Sequence, residues 1–290
     1  MSTPTPALNR RPLALCRSWL FAPGLPGIKQ DLAMSSHADV LVADLEEFTQ
    51  PADRPEARRQ IPALLAACRS AGKWGAVRIN VLAADGRDDL AAIMAGAPDA
   101  IFLPHVESAQ HILDLDHALT ELEATHGLPI GRTIIVPTLE SALGVVRTVE
   151  ILTASPRTQA CLLAAEDLSA SLGLERGRDG IELHGVRARF VVECVAAGSV
   201  PIDCPFNFRD ATAQAADLAW ARRVGLKAKC VVYPEQVTLV NDCLTPSPAE
   251  VDHAQAYVSA FEAGQGNPPE YNTARRLLAR HDQFQRWALS

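Results

Sequence analysis

The chain has 290 residues, 48% of them hydrophobic and 21% charged, which is typical of a soluble globular protein with a sizeable core. The net charge of −7 and the lack of a long basic run argue against nucleic acid as a partner. No run approaches the roughly 20 apolar residues of a membrane helix, so we predict no membrane partner. Seven scattered cysteines without a CxxC pair favour reduced thiols and a cytoplasmic location.

Eight short apolar runs follow the amino-terminal segment, residues 1–13, which we predict to be a flexible arm. Successive runs are separated by about 20 to 40 residues, enough for a helix and two loops between strands. Apolar spacing and closing glycines predict helices over 113–127 and 185–198 in two of these intervals. The predicted strands are 18–23, 39–45, 75–80, 100–104, 133–139, 160–165, 200–204 and 228–233.

Strands that alternate with helices predict a parallel sheet. Eight such units within residues 14–245 fit a TIM (β/α)8 barrel, whose strands are buried on both faces and read as continuous apolar runs. A doubly wound open sheet is the alternative, but the first strand leads into PGLPG rather than GxGxxG, and no P-loop sequence occurs. Residues 246–290 predict a C-terminal helical extension, with helices over 249–263 and 270–288, that caps the barrel or contacts a neighbouring subunit.

Polar and charged residues concentrate at the carboxyl ends of the predicted strands, where the active site of a TIM barrel lies. This distribution predicts a functional site at that end. The residues are Asp44, Glu46, Glu47, Arg78, Asn80, His105, Glu140, Glu166, Asp167, Asp203 and Tyr233.

Glu140 and Asp167 follow consecutive predicted strands. Neighbouring parallel strands lie about 4.8 Å apart, so the two carboxylates could converge on one ion. Mg²⁺ prefers one or two protein carboxylates and completes its octahedron with water and substrate oxygens. The alternative is that each acid stabilises the amino end of the following helix. The spacing alone leaves both interpretations open.

Arg78 lies among apolar neighbours in AVRIN, so its side chain is expected to point into the barrel or its mouth. A guanidinium there suits bidentate recognition of a carboxylate. The alternative is a structural ion pair with Asp44 or Glu46. Arg17, just before the first strand, poses the same choice. His105 is either a base or anion contact, or a hydrogen-bonded structural residue.

Seven motifs in order resemble citrate lyase beta-subunit-like proteins of the HpcH/HpaI aldolase superfamily, which also includes malyl-CoA lyases. They are RSWLFAPG, ADVLVADLEE, VRIN, FLPHVES, VPTLESALGV, LLAAEDLSASLG and VYPEQVTLVN. The resemblance covers about residues 16 to 260. It implies a magnesium-binding TIM barrel that cleaves or forms carbon–carbon bonds beside a carboxylate in 3-hydroxy acyl thioesters such as citryl-CoA or malyl-CoA. It also suggests a homo-oligomer, either a trimer or a hexamer.

The resemblance implies roles for particular residues. Glu140 and Asp167 would be the metal ligands, and Arg78 would hold a substrate carboxylate, with Arg17 near the same oxyacid group. Asp44 and Glu46 would organise metal-bound water and substrate. Three further positions, by the same resemblance, would contact substrate: His105, Ala164 and Ala165.

Several positions depart from the family pattern while the metal pair and Arg78 survive. We therefore expect a divergent member with a different acyl substrate. The departures are Glu47 for an aspartate, His105 for a lysine, Ala164 and Ala228 for glycines, and Tyr233 for a histidine.

Three functions follow from these residues. The first is a magnesium-dependent carbon–carbon lyase acting on a short hydroxy acid or its CoA thioester. The second keeps the same metal site but ends in thioester hydrolysis. The third is a non-catalytic subunit or ligand-binding barrel in a larger complex.

Overall fold

The computed structural model describes residues 10–289 and contains a closed barrel of eight parallel strands. Each strand pairs with the next along the chain, and the first pairs with the last. This architecture confirms the predicted TIM barrel. The strands are β1 Ser18–Pro23, β2 Val40–Asp44, β3 Trp74–Arg78, β4 Ala100–Leu103, β5 Ile134–Leu139, β6 Ala160–Leu163, β7 Val200–Asp203 and β8 Ala228–Val231.

The α-helices occupy the intervals between the strands and continue after β8. Those predicted over 113–127 and 185–198 are present with shifted ends, as α4 and α8. The helices are α1 Ile28–Ser35, α2 Arg54–Ser70, α3 Arg87–Ile93, α4 Ala109–Thr125, α5 Ala142–Val146, α6 Thr148–Leu152, α7 Ala165–Leu172, α8 His184–Ala196, α9 Ala211–Arg223, α10 Val237–Leu244, α11 Pro248–Glu262 and α12 Pro268–Leu289.

Side chains on each strand alternate between the barrel interior and the layer under the helices, because strand side chains have a period of two. On β1, Trp19 and Phe21 point inward, whereas Leu20 packs under the helices. Phe102 of β4 meets both inward rings edge-on, with centroids 5.7 and 5.3 Å away. This aromatic layer fills the barrel interior below its carboxyl end. The next inward-facing positions along the strands, two residues further on, hold the polar side chains of that end.

The sixth strand is shorter than predicted. It ends at Leu163, and α7 begins at Ala165, so Glu166 and Asp167 lie in the first turn of a helix rather than at a strand end. Carboxylates are favoured there because the first turn exposes backbone N–H groups at the positive end of the helix dipole. The position of Glu166 and Asp167 is therefore compatible with stabilising the amino end of α7 as well as with binding a ligand.

The two ends of the described chain meet at the amino-terminal end of the barrel. Of the predicted flexible arm, residues 1–9 lie outside the described residues, whereas Arg10 pairs with Asp99. Arg11 Nε lies 2.9 Å from Asp39, and its guanidinium stacks 3.8 Å from the ring of Trp287 on α12. Within residues 10–289, no helix is both long enough and apolar enough to cross a bilayer.

Candidate active site

Asp44 and Arg78 are the last residues of β2 and β3 and stand opposite each other in the strand register. They follow the inward-facing Val42 and Ala76 by two residues, so both point into the barrel mouth. Arg78 Nε and Nη2 donate to the two Asp44 oxygens at 2.8 and 2.6 Å. Sequence periodicity and register thus produce a bidentate, almost fully buried ion pair.

Asp44 also holds the loop that follows β2. Its carboxylate accepts the backbone N–H groups of Glu46 at 3.0 Å and Phe48 at 3.1 Å. With two bonds from Arg78, this buried carboxylate is well satisfied, which offsets its loss of hydration. Asp44 therefore positions both the arginine and the loop.

Glu46 and Glu47 complete an acidic rim around Arg78. Arg78 Nη1 lies 3.1 Å from Glu46, and Nη2 lies 2.9 Å from Glu47. Burial would lower the pKa of Arg78, but Asp44, Glu46 and Glu47 together raise it above its usual value. Burial raises the pKa of Glu46, while Arg78 opposes that shift. The structure thus shows the ion pairs that the sequence left as the alternative role of Arg78.

Glu140 follows β5 and is buried beside His105. The backbone N–H of His105 donates to Glu140 Oε1, and its Nδ1 lies 3.0 Å from the same oxygen. Burial raises the pKa of Glu140 to about 7; the His105 N–H and the charges of His105 and Arg78 lower it, and Asp167 adds to the rise. Glu140 therefore interacts electrostatically with both Arg78 and Asp167.

His105 adopts a left-handed backbone conformation with φ of 54°. Such conformations are uncommon for residues other than glycine and cost roughly 1 kcal/mol or more. Here the conformation aims the His105 N–H at Glu140, while Nε2 lies 3.8 Å from Glu46. The imidazole is about half exposed and lies between the two glutamates.

A cavity of about 560 Å³ opens at this end of the barrel. Arg78 and Asp167 lie on its charged side, with Ala164 and Ala165 beside Asp167. The Ala164 methyl occupies space that a glycine would leave open. The apolar side is formed by Phe21, Leu162, Pro205 and Val232.

The donor set at this mouth suits a hard divalent cation bound by few protein ligands. Within residues 10–289, no group of three or more His, Cys, Asp or Glu side chains is arranged to hold a metal ion. The charge of Asp167 acts on the pKa of Glu140, and Mg²⁺ takes one or two carboxylates and completes its shell with water and substrate oxygens. Burial is the main cause of the raised pKa of Glu140, and the charge of Asp167 adds to it.

The structure does not bring Arg17 to this mouth. Arg17 precedes β1, so it lies at the opposite end of the barrel, where Nε and Nη2 donate to Asp39 at 2.9 and 3.0 Å. Its Nη1 donates to Thr245 Oγ1 at 2.7 Å. The prediction that Arg17 contacts a substrate oxyacid is therefore corrected: its guanidinium joins β1, β2 and the end of α10.

Lys29, Asn207 and Arg209 are polar residues of the cavity wall that the sequence did not identify as site residues. Lys29 lies on α1, while Asn207 and Arg209 lie in the loop after β7. The Arg209 guanidinium lies 4.6 Å from the Tyr233 ring and 3.6 Å from Glu235. All three positions follow a strand, so a search of whole βα loops rather than strand ends alone would have found them.

A sequence profile described as HpcH/HpaI aldolase/citrate lyase matches residues 17–234. The citrate lyase subunit beta of Escherichia coli is 32% identical over 261 residues, covering 89% of this chain and 86% of that protein. The L-malyl-CoA/beta-methylmalyl-CoA lyase of Rhodobacter capsulatus is 33% identical over 274 residues, covering 87% of this chain and 86% of that protein.

Solved structures show the same likeness. CitE from Mycobacterium tuberculosis, in complex with magnesium, acetoacetate and coenzyme A, superposes with a TM-score of 0.73 and 25% identity. That match covers 93% of this chain and 100% of the other. RipC from Yersinia pestis gives a TM-score of 0.67 at 29% identity, covering 82% and 99%.

A closed (β/α)8 barrel with an arginine and facing carboxylates at its carboxyl-end mouth defines a class of barrel enzymes that act on small acids. Within that class, this chain belongs to the HpcH/HpaI aldolase/citrate lyase family.

Proposed function

We propose that the protein is a magnesium-dependent carbon–carbon lyase that acts on a short 3-hydroxy acid or its CoA thioester. The observation that carries this proposal is the placement of buried Glu140 at the mouth, near enough to Asp167 and Arg78 for both charges to act on its pKa. The family membership and the names of the relatives, citrate lyase beta subunit and malyl-CoA lyase, support it.

Glu140 and Asp167 would hold the metal ion. When bound there, Mg²⁺ would supply Lewis-acid stabilisation of the negative charge that develops on an enolate oxygen. The solved relative that contains magnesium, acetoacetate and coenzyme A supports this assignment. The donor set of this chain, two carboxylates whose charges influence each other, fits the same ion.

Arg78 would hold and orient the substrate carboxylate. Its Nε and one Nη2 hydrogen are committed to Asp44, whereas Glu46 and the half-exposed Glu47 occupy the solvent side of the guanidinium. A substrate carboxylate reaches Arg78 by displacing one of these two rim glutamates. The fixed Asp44 pair keeps the guanidinium in place during that exchange.

The cavity wall would exclude water from the substrate skeleton through its apolar side chains. Arg209 and Lys29 add positive charge along the wall, which suits the phosphate groups of a CoA thioester. The Ala164 methyl group narrows the cavity relative to a glycine at this position. The proposal therefore includes CoA as the carrier and an acyl group that diverges from those of the family's typical substrates.

Three broader features belong to the same proposal. The chain divides into an arm (1–13), a barrel (14–245) and a helical extension (246–290) that caps the barrel or contacts a neighbouring subunit, and a truncation series tests this division. A trimer or hexamer is supported by exposed apolar side chains on α5, α6 and α8, and sedimentation tests it. The exposed apolar side chains are Leu143, Val146, Val149, Val192 and Val195.

A cytoplasmic location is supported by seven unpaired thiols within the described range.

The test combines product analysis with matched variants. The wild-type protein, given Mg²⁺ and a panel of 3-hydroxy acyl-CoA thioesters that includes malyl-CoA and citryl-CoA, is expected to cleave at least one of them into a shorter acyl-CoA and a keto or aldehyde acid. Glu140→Gln and Asp167→Asn should each lower the rate by on the order of 1000-fold, because metal stabilisation of the transition state supplies several kcal/mol. Glu150→Gln is the control, since Glu150 also lies in the first turn of a helix, α6.

The products separate the three functions. Free CoA together with an intact hydroxy acid would support thioester hydrolysis instead of carbon–carbon cleavage. Binding of oxaloacetate, pyruvate or glyoxylate without turnover of any CoA ester would support a non-catalytic barrel. Equal activity in Asp167→Asn and Glu150→Gln would contradict the metal assignment, and a helix-dipole role would then account for Asp167.

A further inference from the structure

Three arginine side chains surround one aromatic ring at the amino-terminal end of the barrel. The guanidinium carbons of Arg11, Arg17 and Arg280 lie 5.2, 5.5 and 5.1 Å from the centroid of the Phe284 ring. Phe284 is a buried residue of α12. Because all three cations lie against one ring, they also lie near one another, and their like charges repel.

Asp39 is the single carboxylate among residues 10–289 that forms an ion pair with any of these three arginines. It accepts from Arg17 at 2.9 and 3.0 Å and lies 2.9 Å from Arg11 Nε. One negative charge therefore faces three positive charges. We call Arg11, Arg17, Arg280 and Asp39 the arginine cluster.

Arg280 is the least satisfied member of the arginine cluster. Its Nη1 donates to the carbonyl oxygen of Ala14 at 2.9 Å, while Nη2 is buried and has no hydrogen-bond partner among the described residues. Buried polar atoms without a partner are rare in folded proteins. Burial, with repulsion from Arg17 and Arg11, lowers the pKa of Arg280 to about 10. The cluster thus has both surplus positive charge and a vacant donor.

Two more cations stand beside Arg280 with part of their surface in solvent. Arg276 lies one helical turn earlier on α12, and Lys227 precedes β8. Partial burial and the charges of Arg280 and Arg276 lower the pKa of Lys227. These side chains extend the positive field from the buried donor to the surface.

We propose that the arginine cluster binds a small oxyanion of the phosphate type. Arg280 Nη2 would donate to one of its oxygens, with Lys227 and Arg276 adding positive charge nearby, since guanidinium groups match tetrahedral oxyanions. Arg280 belongs to α12, whereas Arg11 and Arg17 belong to the segment before β1. An anion here would therefore fasten the C-terminal helix to the barrel. The site lies at the end opposite the mouth.

Inorganic phosphate is the probe, titrated into the full-length protein by calorimetry at constant ionic strength with chloride as the reference anion. Wild-type protein is expected to bind phosphate and to gain thermal stability with it. Arg280→Gln should weaken binding about tenfold or more, because a charged hydrogen-bond donor is lost. Arg275→Gln is the matched control: Arg275 is exposed on the same helix and stacks on Tyr271 instead.

Several outcomes overturn the proposal. The first is that wild-type protein shows no preference for phosphate over chloride. The second is that phosphate binding survives Arg280→Gln but disappears in Arg209→Gln, which would place the anion in the cavity at the mouth. If Arg280→Gln does not fold, the exposed pair Lys227→Gln and Arg276→Gln decides: weaker binding in both supports the site, and unchanged binding in both refutes it.

Discussion

At the mouth of the barrel Arg78 lies among three carboxylates, those of Asp44, Glu46 and Glu47, whereas at the opposite end Asp39 lies among arginines. Both centres are buried ion pairs, but the surplus charge has opposite sign. Surplus carboxylate favours a bound cation, and surplus guanidinium favours a bound anion. The comparison shows that the two ends of one barrel carry surplus charge of opposite sign, because each end is built from separate loops.

The largest stability effect is expected from removing the positive charge of the Arg78 side chain at the mouth. Arg78→Gln leaves Asp44 fully buried without its partner, which should lower the free energy of unfolding by about 3–5 kcal/mol. Urea unfolding measures this change. In the double variant with Asp44→Asn most of the loss should return, because no uncompensated charge remains; no recovery in the double variant would show that the charge pair is not the cause.

The pH dependence of the mouth should follow Glu140. The pKa of Glu140 rises from its ordinary 4.5 to about 7 through burial, so the folded metal-free protein favours the protonated form. This contribution, about 3 kcal/mol, is present below about pH 4.5 and is lost as the pH rises through 7. Unfolding of metal-free protein against pH should show it, and Glu140→Gln should remove it. An identical pH profile in the variant would rule Glu140 out.

Deprotonation of Glu140 should lower the stability of the metal-free protein but raise its affinity for Mg²⁺. A carboxylate must be deprotonated to bind a cation, so Mg²⁺ affinity should fall by roughly tenfold between about pH 8 and about pH 6. Calorimetric titration with Mg²⁺ at both pH values measures the change. Affinity that is independent of pH would mean that Glu140 does not ligate the ion.

A smaller effect is expected at the opposite end. Arg17→Gln should cost about 2 kcal/mol, since charged hydrogen bonds are lost while Arg11 still pairs with Asp39. Its KM for any substrate should stay unchanged because Arg17 lies away from the cavity. Thermal unfolding and steady-state kinetics measure the two quantities; a raised KM with normal stability would restore the substrate-contacting role expected from the family resemblance.

The smallest effect concerns the backbone of His105. His105→Gly should be more stable than His105→Ala by about 1 kcal/mol, because glycine accepts a φ of 54° without strain. Both variants lose the same imidazole, so their difference isolates the backbone term. Equal unfolding free energies would mean that the left-handed turn at this position relaxes in the variants.

The sequence was sufficient to predict the barrel because apolar runs at regular intervals determine strands, and the two-residue period places Asp44 and Arg78 inside the mouth. It misplaced Asp167, since small apolar residues such as Ala164 and Ala165 fit a strand end or a helix start equally well. Arg17 was misassigned by resemblance, although its position before a parallel strand already puts it at the far end.

The arginine cluster lay beyond sequence reasoning for a different reason. Arg11 and Arg280 are separated by nearly the whole chain, and only the path of α12 across the barrel brings them to the Phe284 ring. Periodicity predicts that α12 is a helix but not which surface it covers.

The contact between Arg11 and Trp287, 3.8 Å from guanidinium to ring, has a consequence for protein engineering. The described chain begins and ends at one place, so a short linker could join its ends into a circular backbone. New ends could then be opened in the exposed turn at 264–267, between α11 and α12. Such a circular permutant would keep every barrel strand in its present order.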